Sequence, residues 1–184
     1  DGRVYGTVTG ALIFNYHPSL AADLKAVGFS VVSTANNHGA DRGAPGIDRT
    51  IDALEAAQLA YTGTRRRTGL AGALAGKWIA MTEAKGVRVA WIACTYGTNG
   101  MPDRHNQVLQ CYRDRETVMG EIAKAAADPA IDAVILTPHW GQEGSATPLK
   151  TDRAYARDAI EAGATAIVGA HPHVLQPWER IELP

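Results

Sequence analysis

The sequence has almost no excess charge of either sign: 18 Lys and Arg stand against 19 Asp and Glu, for a formal net charge of -1. No global field draws the chain to nucleic acid or an anionic membrane surface, which argues against a basic-patch function and a nucleic-acid partner. Cysteine is scarce. Cys94 and Cys111 are the only two; they fit neither a disulfide framework nor a CxxC metal pair, and they say little about the redox compartment. No apolar run approaches the roughly 20 residues needed to cross a bilayer. Asp1-Gly2-Arg3-Val4 lacks the basic-then-apolar pattern of a signal peptide, and there is no initiator Met, as expected where an upstream segment has been removed. No P-loop, GxGxxG or GxSxG occurs, so nucleotide cradles and the serine nucleophile elbow have no sequence support.

What is present is an ordinary globular composition. With 46% hydrophobic and 20% charged residues over 184 positions, the chain can bury a core as one domain, residues 1–184, with no internal linker or repeat. Apolar residues at helical spacing run from Ser19 to Val27 and stop at Gly28. Phe29 to Thr34 reads as a short buried strand, and a helix of about Pro45 to Leu59 sets Ile47, Ile51, Leu54 and Gln58 on one face. Trp78 to Glu83 and Val87 to Thr95, broken by Lys85-Gly86, read as an antiparallel hairpin. A long loop from Tyr96 to Tyr112 follows. The spacing then predicts a helix over about Asp114 to Ala127, a strand over Ala133 to Thr137, a helix over about Leu149 to Ala162, and an apolar strand over Thr165 to Val168. Helices alternating with buried strands indicate an α/β fold with a largely parallel sheet.

Three of these strands run directly into histidine-bearing loops: Asn37-His38, His139, and His171-x-His173. In open α/β sheets ligands bind beyond the carboxyl ends of the strands, so the three loops are expected to converge on one crevice. Imidazole is the commonest side-chain ligand for transition metals, because one ring nitrogen offers a lone pair while the other is fixed by a neighbouring acceptor. Each histidine alone reads more readily as a surface or structural residue than as a ligand; the coincidence of strand ends is what points to a site. His17 and His105 lie away from strand ends and read as structural or surface residues.

The loops Ser33-Thr34-Ala35-Asn36-Asn37-His38-Gly39-Ala40-Asp41-Arg42-Gly43, Pro138-His139-Trp140-Gly141-Gln142-Glu143 and Gly169-Ala170-His171-Pro172-His173-Val174-Leu175-Gln176-Pro177 resemble the CapA-like poly-γ-glutamate capsule synthesis family. That family belongs to the calcineurin-like metallophosphoesterase superfamily. The resemblance covers about residues 18–179, with three motifs in order. It implies a metallophosphatase-like sandwich of two mixed sheets flanked by helices. By the same resemblance Asn37, His139, His171 and His173 look like metal ligands, and His38 like the acid that protonates a leaving oxygen. A divalent transition metal (Zn, Mn or Fe), as one or two ions, is the implied cofactor. Asp41 and Glu143 stand beside these residues and are candidates to orient an imidazole or, equally, to cap a loop.

The sequence departs from the family by lacking its Gly-Asp and Asn-Leu-Glu motifs and its Ser-Leu-Gly-Asn-Phe segment, as expected of a domain truncated at both ends. Three His and one Asn suit one transition metal better than a dinuclear pair. The resemblance implies a place in the cell envelope, an anionic polymer or phosphoester as substrate, and other capsule-synthesis membrane proteins as partners. Two functional readings follow, a metal-dependent hydrolase and a non-catalytic polymer-binding or assembly subunit on the same fold; a third leaves the histidines purely structural. Arg65-Arg66-Arg67 is a candidate anion contact or a solvated face, and Trp140 a crevice lining or a core residue.

Overall fold

The computed structural model describes residues 13–67 and 77–182; the N-terminal Asp1-Gly2-Arg3-Val4 lies outside them. Helix α1 (Ser19–Ala26) starts after Pro18 and ends where Phe29 N–H reaches back to Leu24 O at 3.1 Å. Strand β1 (Val31–Ser33) follows, then α2 (Gly43–Ala56), β2 (Ala60–Thr62), β3 (Ile79–Ala84), β4 (Val87–Thr95), α3 (Arg115–Ala126), β5 (Ala133–His139), α4 (Lys150–Glu161) and β6 (Ala166–Ile167). Helix α2 starts earlier than its apolar spacing predicts and ends before Gln58, which takes a left-handed φ of 53° while Leu59 N–H closes on Leu54 O at 3.0 Å.

The strands form two sheets. β1 and β2 pair in parallel. β3-β4-β5-β6 make a mixed sheet in which the expected β3/β4 hairpin is antiparallel and β4, β5 and β6 are mutually parallel. The expected pair of mixed sheets is thus one mixed sheet and, among the described residues, one purely parallel pair. Thr62 joins them: its hydroxyl donates to Trp78 O at 2.6 Å and accepts from Ala93 N–H at 3.0 Å.

Along β5, buried and half-buried residues alternate, as a period of two requires. Its buried face meets Ile92 of β4, Val118 and Ile122 of α3, and Ala159 of α4 in the main core. Burying each large aliphatic side chain there contributes about 1.5–3 kcal/mol. Two smaller clusters sit under α1 and α2, around Ile47, Ile51 and Val108 and around Ala21, Leu54 and Leu59. The strands expected to be buried at residues 29–34 and 165–168 are shorter and more open. Phe29 is half exposed and so is Val168, because β1 and β6 each pair with a single neighbour among the described residues.

The cysteines correct the expectation drawn from their spacing. Cys94 and Cys111 form a disulfide, with Cα atoms 5.0 Å apart and both residues fully buried. The 96–112 segment loops back so that Cys111 N–H bonds Thr95 O at 2.8 Å, and this return brings together two thiols 17 residues apart. A loop of that length contributes about 3 kcal/mol by restricting the unfolded chain. The Cys94→Ala/Cys111→Ala variant is expected to melt about 6–12 °C lower, as read by circular dichroism; an unchanged melting temperature would mean that the cross-link adds no stability.

Candidate metal centre and cleft

The parallel strands deliver their ends to one place. Beyond β1, the turn at Asn36-Asn37-His38 is fixed by His38 N–H donating to Asn36 Oδ1 at 2.8 Å. Gly63, just after β2, makes room for this turn: its φ is +95°, and a Cβ there would lie 2.5 Å from Ala35 Cβ. Asn37 is buried, and its Oδ1 meets His139 Nε2, at the end of β5, at 3.0 Å across 102 residues of sequence. His139 and His171 have ring centroids 4.8 Å apart, and His171 and His173 6.1 Å.

His171 and His173 hold left-handed backbones, φ 104° and 59°, a conformation that costs non-glycine residues energy and that clusters at functional sites. Main-chain bonds hold the segment in place: Trp140 N–H to Ala170 O at 3.0 Å and Gly144 N–H to Pro172 O at 2.8 Å. Glu143, at the end of that second loop, brings Oε1 to 3.9 Å from His171 Nδ1. Glu143, His171 and His173 each offer one ligand atom, all within 4.8 Å of one another. His171 Nδ1 is buried without a hydrogen-bond partner among the described residues.

Burial drives the His139 imidazole down to about 4, with the neighbouring His171, His173 and His38 adding repulsion. Burial also lowers His171, against the opposing pull of Glu143. Both rings are therefore neutral near pH 7, the form that binds metal. Two imidazole nitrogens and a carboxylate oxygen, one nitrogen buried and unsatisfied, fit a divalent transition ion.

His38 belongs to a second group. Its Nδ1 lies 2.9 Å from Asp41 Oδ2, and that buried carboxylate also accepts Phe14 N–H at 2.7 Å. The Phe14 ring packs edge-on against His38 at 4.5 Å. Asp41 thus sits on an imidazole, whereas Glu143 sits among the candidate ligands rather than behind them. Both groups open on a cleft of about 1240 Å³ whose wall includes Asn37, His38, Asp41, Arg42, His139, Glu143 and His173.

Other residues occupy places that the strand-to-histidine pattern does not mark. β4 runs parallel to β5, so its end lies on the same edge. Tyr96, its next residue, packs at a tilt against His171, ring centroids 4.8 Å apart, and donates its hydroxyl to Asn99 Oδ1 at 3.1 Å, while Asn37 Nδ2 donates to the same oxygen at 3.4 Å. The signal available for Tyr96 was strand direction, hidden because β4 also belongs to a hairpin.

The arginine run is half-buried and spent on internal contacts. Arg65 lies 4.5 Å over Trp78, Arg66 pairs with Asp52 and Glu55 at 2.6 Å, and Arg67 Nε reaches buried Asp48 at 2.6 Å. Trp140 is a core residue, edge-on to Tyr155 at 5.5 Å.

Residues 3–182 match the family described as bacterial capsule synthesis protein PGA_cap. Over 160 residues the chain is 34% identical to capsule biosynthesis protein CapA of Bacillus anthracis, a stretch covering 85% of this chain and 38% of that protein. It is 33% identical over 157 residues to PGA biosynthesis protein CapA of Bacillus subtilis (strain 168), covering 85% of this chain and 40% of the relative. The chain spans about two fifths of the length of these curated relatives. No helix among the described residues is long and apolar enough to cross a membrane.

Proposed function

Because the chain belongs to the bacterial capsule synthesis family PGA_cap, we propose that it serves the making or export of an envelope polymer, poly-γ-glutamate, and that its cleft is a metal-dependent hydrolase site for a phosphoester or related bond. The observation that carries the hydrolase reading is the buried, unpartnered His171 Nδ1 beside Glu143 and His173. Glu143, His171 and His173 would hold the ion, with His139 and Asn37 next to them. When bound, a divalent ion supplies Lewis acidity at the reacting oxygen of the substrate. His38 does the proton work: Asp41 accepts from Nδ1–H and so orients the ring, and the doubly protonated imidazole gives its Nε2 proton to a departing oxygen, returning to the neutral Nδ1–H form. The buried disulfide supports an extracytoplasmic setting, since such bonds persist in oxidising compartments. Other capsule-synthesis membrane proteins are the partners this reading calls for.

A non-catalytic, polymer-binding role has one observation on its side. Asp41 is committed to His38 and Phe14, so Glu143 is the one carboxylate in the candidate ligand group among the described residues. Metal content per mole of tag-free chain, with hydrolysis of a generic phosphodiester before and after chelation, separates the two. The hydrolase reading expects close to one or two ions and a rate that chelation removes and Zn or Mn restores. Bound metal with no turnover would transfer the proposal to polymer binding.

A further inference from the structure

Arg42 is the N-cap residue of α2, directly after the Asn37-to-Asp41 turn, and it lines the cleft. Its Nε and Nη2 are shut off from solvent and have no hydrogen-bond partner among the described residues. A guanidinium keeps its charge at any ordinary pH; Arg42 is half-buried, and donors left unmet inside the fold cost free energy until an acceptor reaches them. The neighbouring carboxylate does not relieve it, since Asp41 is taken up by His38 and Phe14 N–H. Arg66 makes the contrast: it too is half-buried, yet two carboxylates meet it. The position of Arg42 is also built. Its stem lies across the first turn of α2 over Gly46, where a Cβ would come within 2.3 Å of Arg42 Cβ. Arg49, seven residues on and so on the same helix face, lines the same cleft.

We infer that Arg42 is the oxyanion clamp of this cleft, binding a carboxylate or phosphate group of the substrate beside His38. The planar fork of a guanidinium matches two oxygens of either group at once, and by turning into the cleft the side chain gains for Nε and Nη2 the acceptors that the fold withholds. The inference rests on the cleft being a substrate site, and it adds the class of group recognised there.

The test titrates the whole chain with two probes, inorganic phosphate and a short γ-linked glutamate oligomer, at fixed ionic strength. Wild type, Arg42→Gln and Arg42→Lys are compared, with metal content and melting temperature measured on the same preparations. At least one probe should bind wild type and bind Arg42→Gln at least tenfold more weakly, with Lys recovering part of the loss because it restores the charge without the fork. Metal content should be unchanged. The melting temperature of Arg42→Gln should stay at the wild-type value, because Nε and Nη2 have no partner among the described residues to lose; a purely structural arginine would lower it.

Phosphate alone responding would identify a phosphoester oxygen, and the oligomer alone a polymer carboxylate; both outcomes uphold the clamp. Equal binding by wild type and Arg42→Gln, or no binding of either probe by wild type, overturns it. A chain without metal that still binds an anion through Arg42 would sink the hydrolase reading and keep this one. A metal-bearing, active chain whose anion binding ignores Arg42 would do the reverse.

Discussion

Replacing His171 with Ala is expected to weaken Zn or Mn binding by at least about a hundredfold, and the His171→Ala/His173→Ala variant to retain no metal through dialysis. Residues that merely orient a ligand already cost 10–100-fold when removed, so losing a ligand sets that range as its floor. The effect falls on His171 because its Nδ1 is buried with no alternative partner among the described residues. Its backbone at φ 104° and the tie from Trp140 N–H to Ala170 O hold it where it is. Elemental analysis per mole of chain decides the matter. Wild-type metal content in the double variant would move the ion elsewhere and remove the basis of the hydrolase reading.

His38→Ala should do the opposite. Metal content should stay at the wild-type level, because His38 lies outside the Glu143, His171 and His173 group. Turnover on a phosphodiester should fall by about 10²–10⁴-fold, the usual contribution of a positioned acid or base. The Asp41 carboxylate behind Nδ1 fixes which nitrogen carries the transferable proton. A variant at full rate would leave His38 with a packing role against Phe14 and nothing more.

Much of this site was legible in the sequence because its residues sit where periodic strands stop. Hydrophobic runs ending in Asn37-His38, His139 and His171-x-His173 mark strand ends, and parallel pairing brings such ends together; Asn37 and His139 meet across 102 residues. Other features depend on tertiary return paths that no local period encodes. The disulfide required the 96–112 segment to double back onto Thr95. Tyr96 and Asn99 required the hairpin strand β4 to run parallel to β5 as well. Arg42 reads as an ordinary surface arginine until the carboxylate beside it is seen to be committed to His38. The arginine run misleads in the other direction: three consecutive charges suggest a solvated face or an anion contact, but Asp48, Asp52 and Glu55 of α2 pair with Arg66 and Arg67, and Arg65 covers Trp78.

The Cys94 to Cys111 bond makes the intervening stretch, which carries Tyr96 and Asn99 against the histidines, a closed ring rather than an open excursion of the chain. A protease that cuts once inside this ring does not divide the molecule. Both new ends stay tethered, one through β4 and the other through the segment leading into α3, and the two parts separate only after reduction. The stretch that sets Tyr96 and Asn99 against the site is thereby insured against a single break in its backbone.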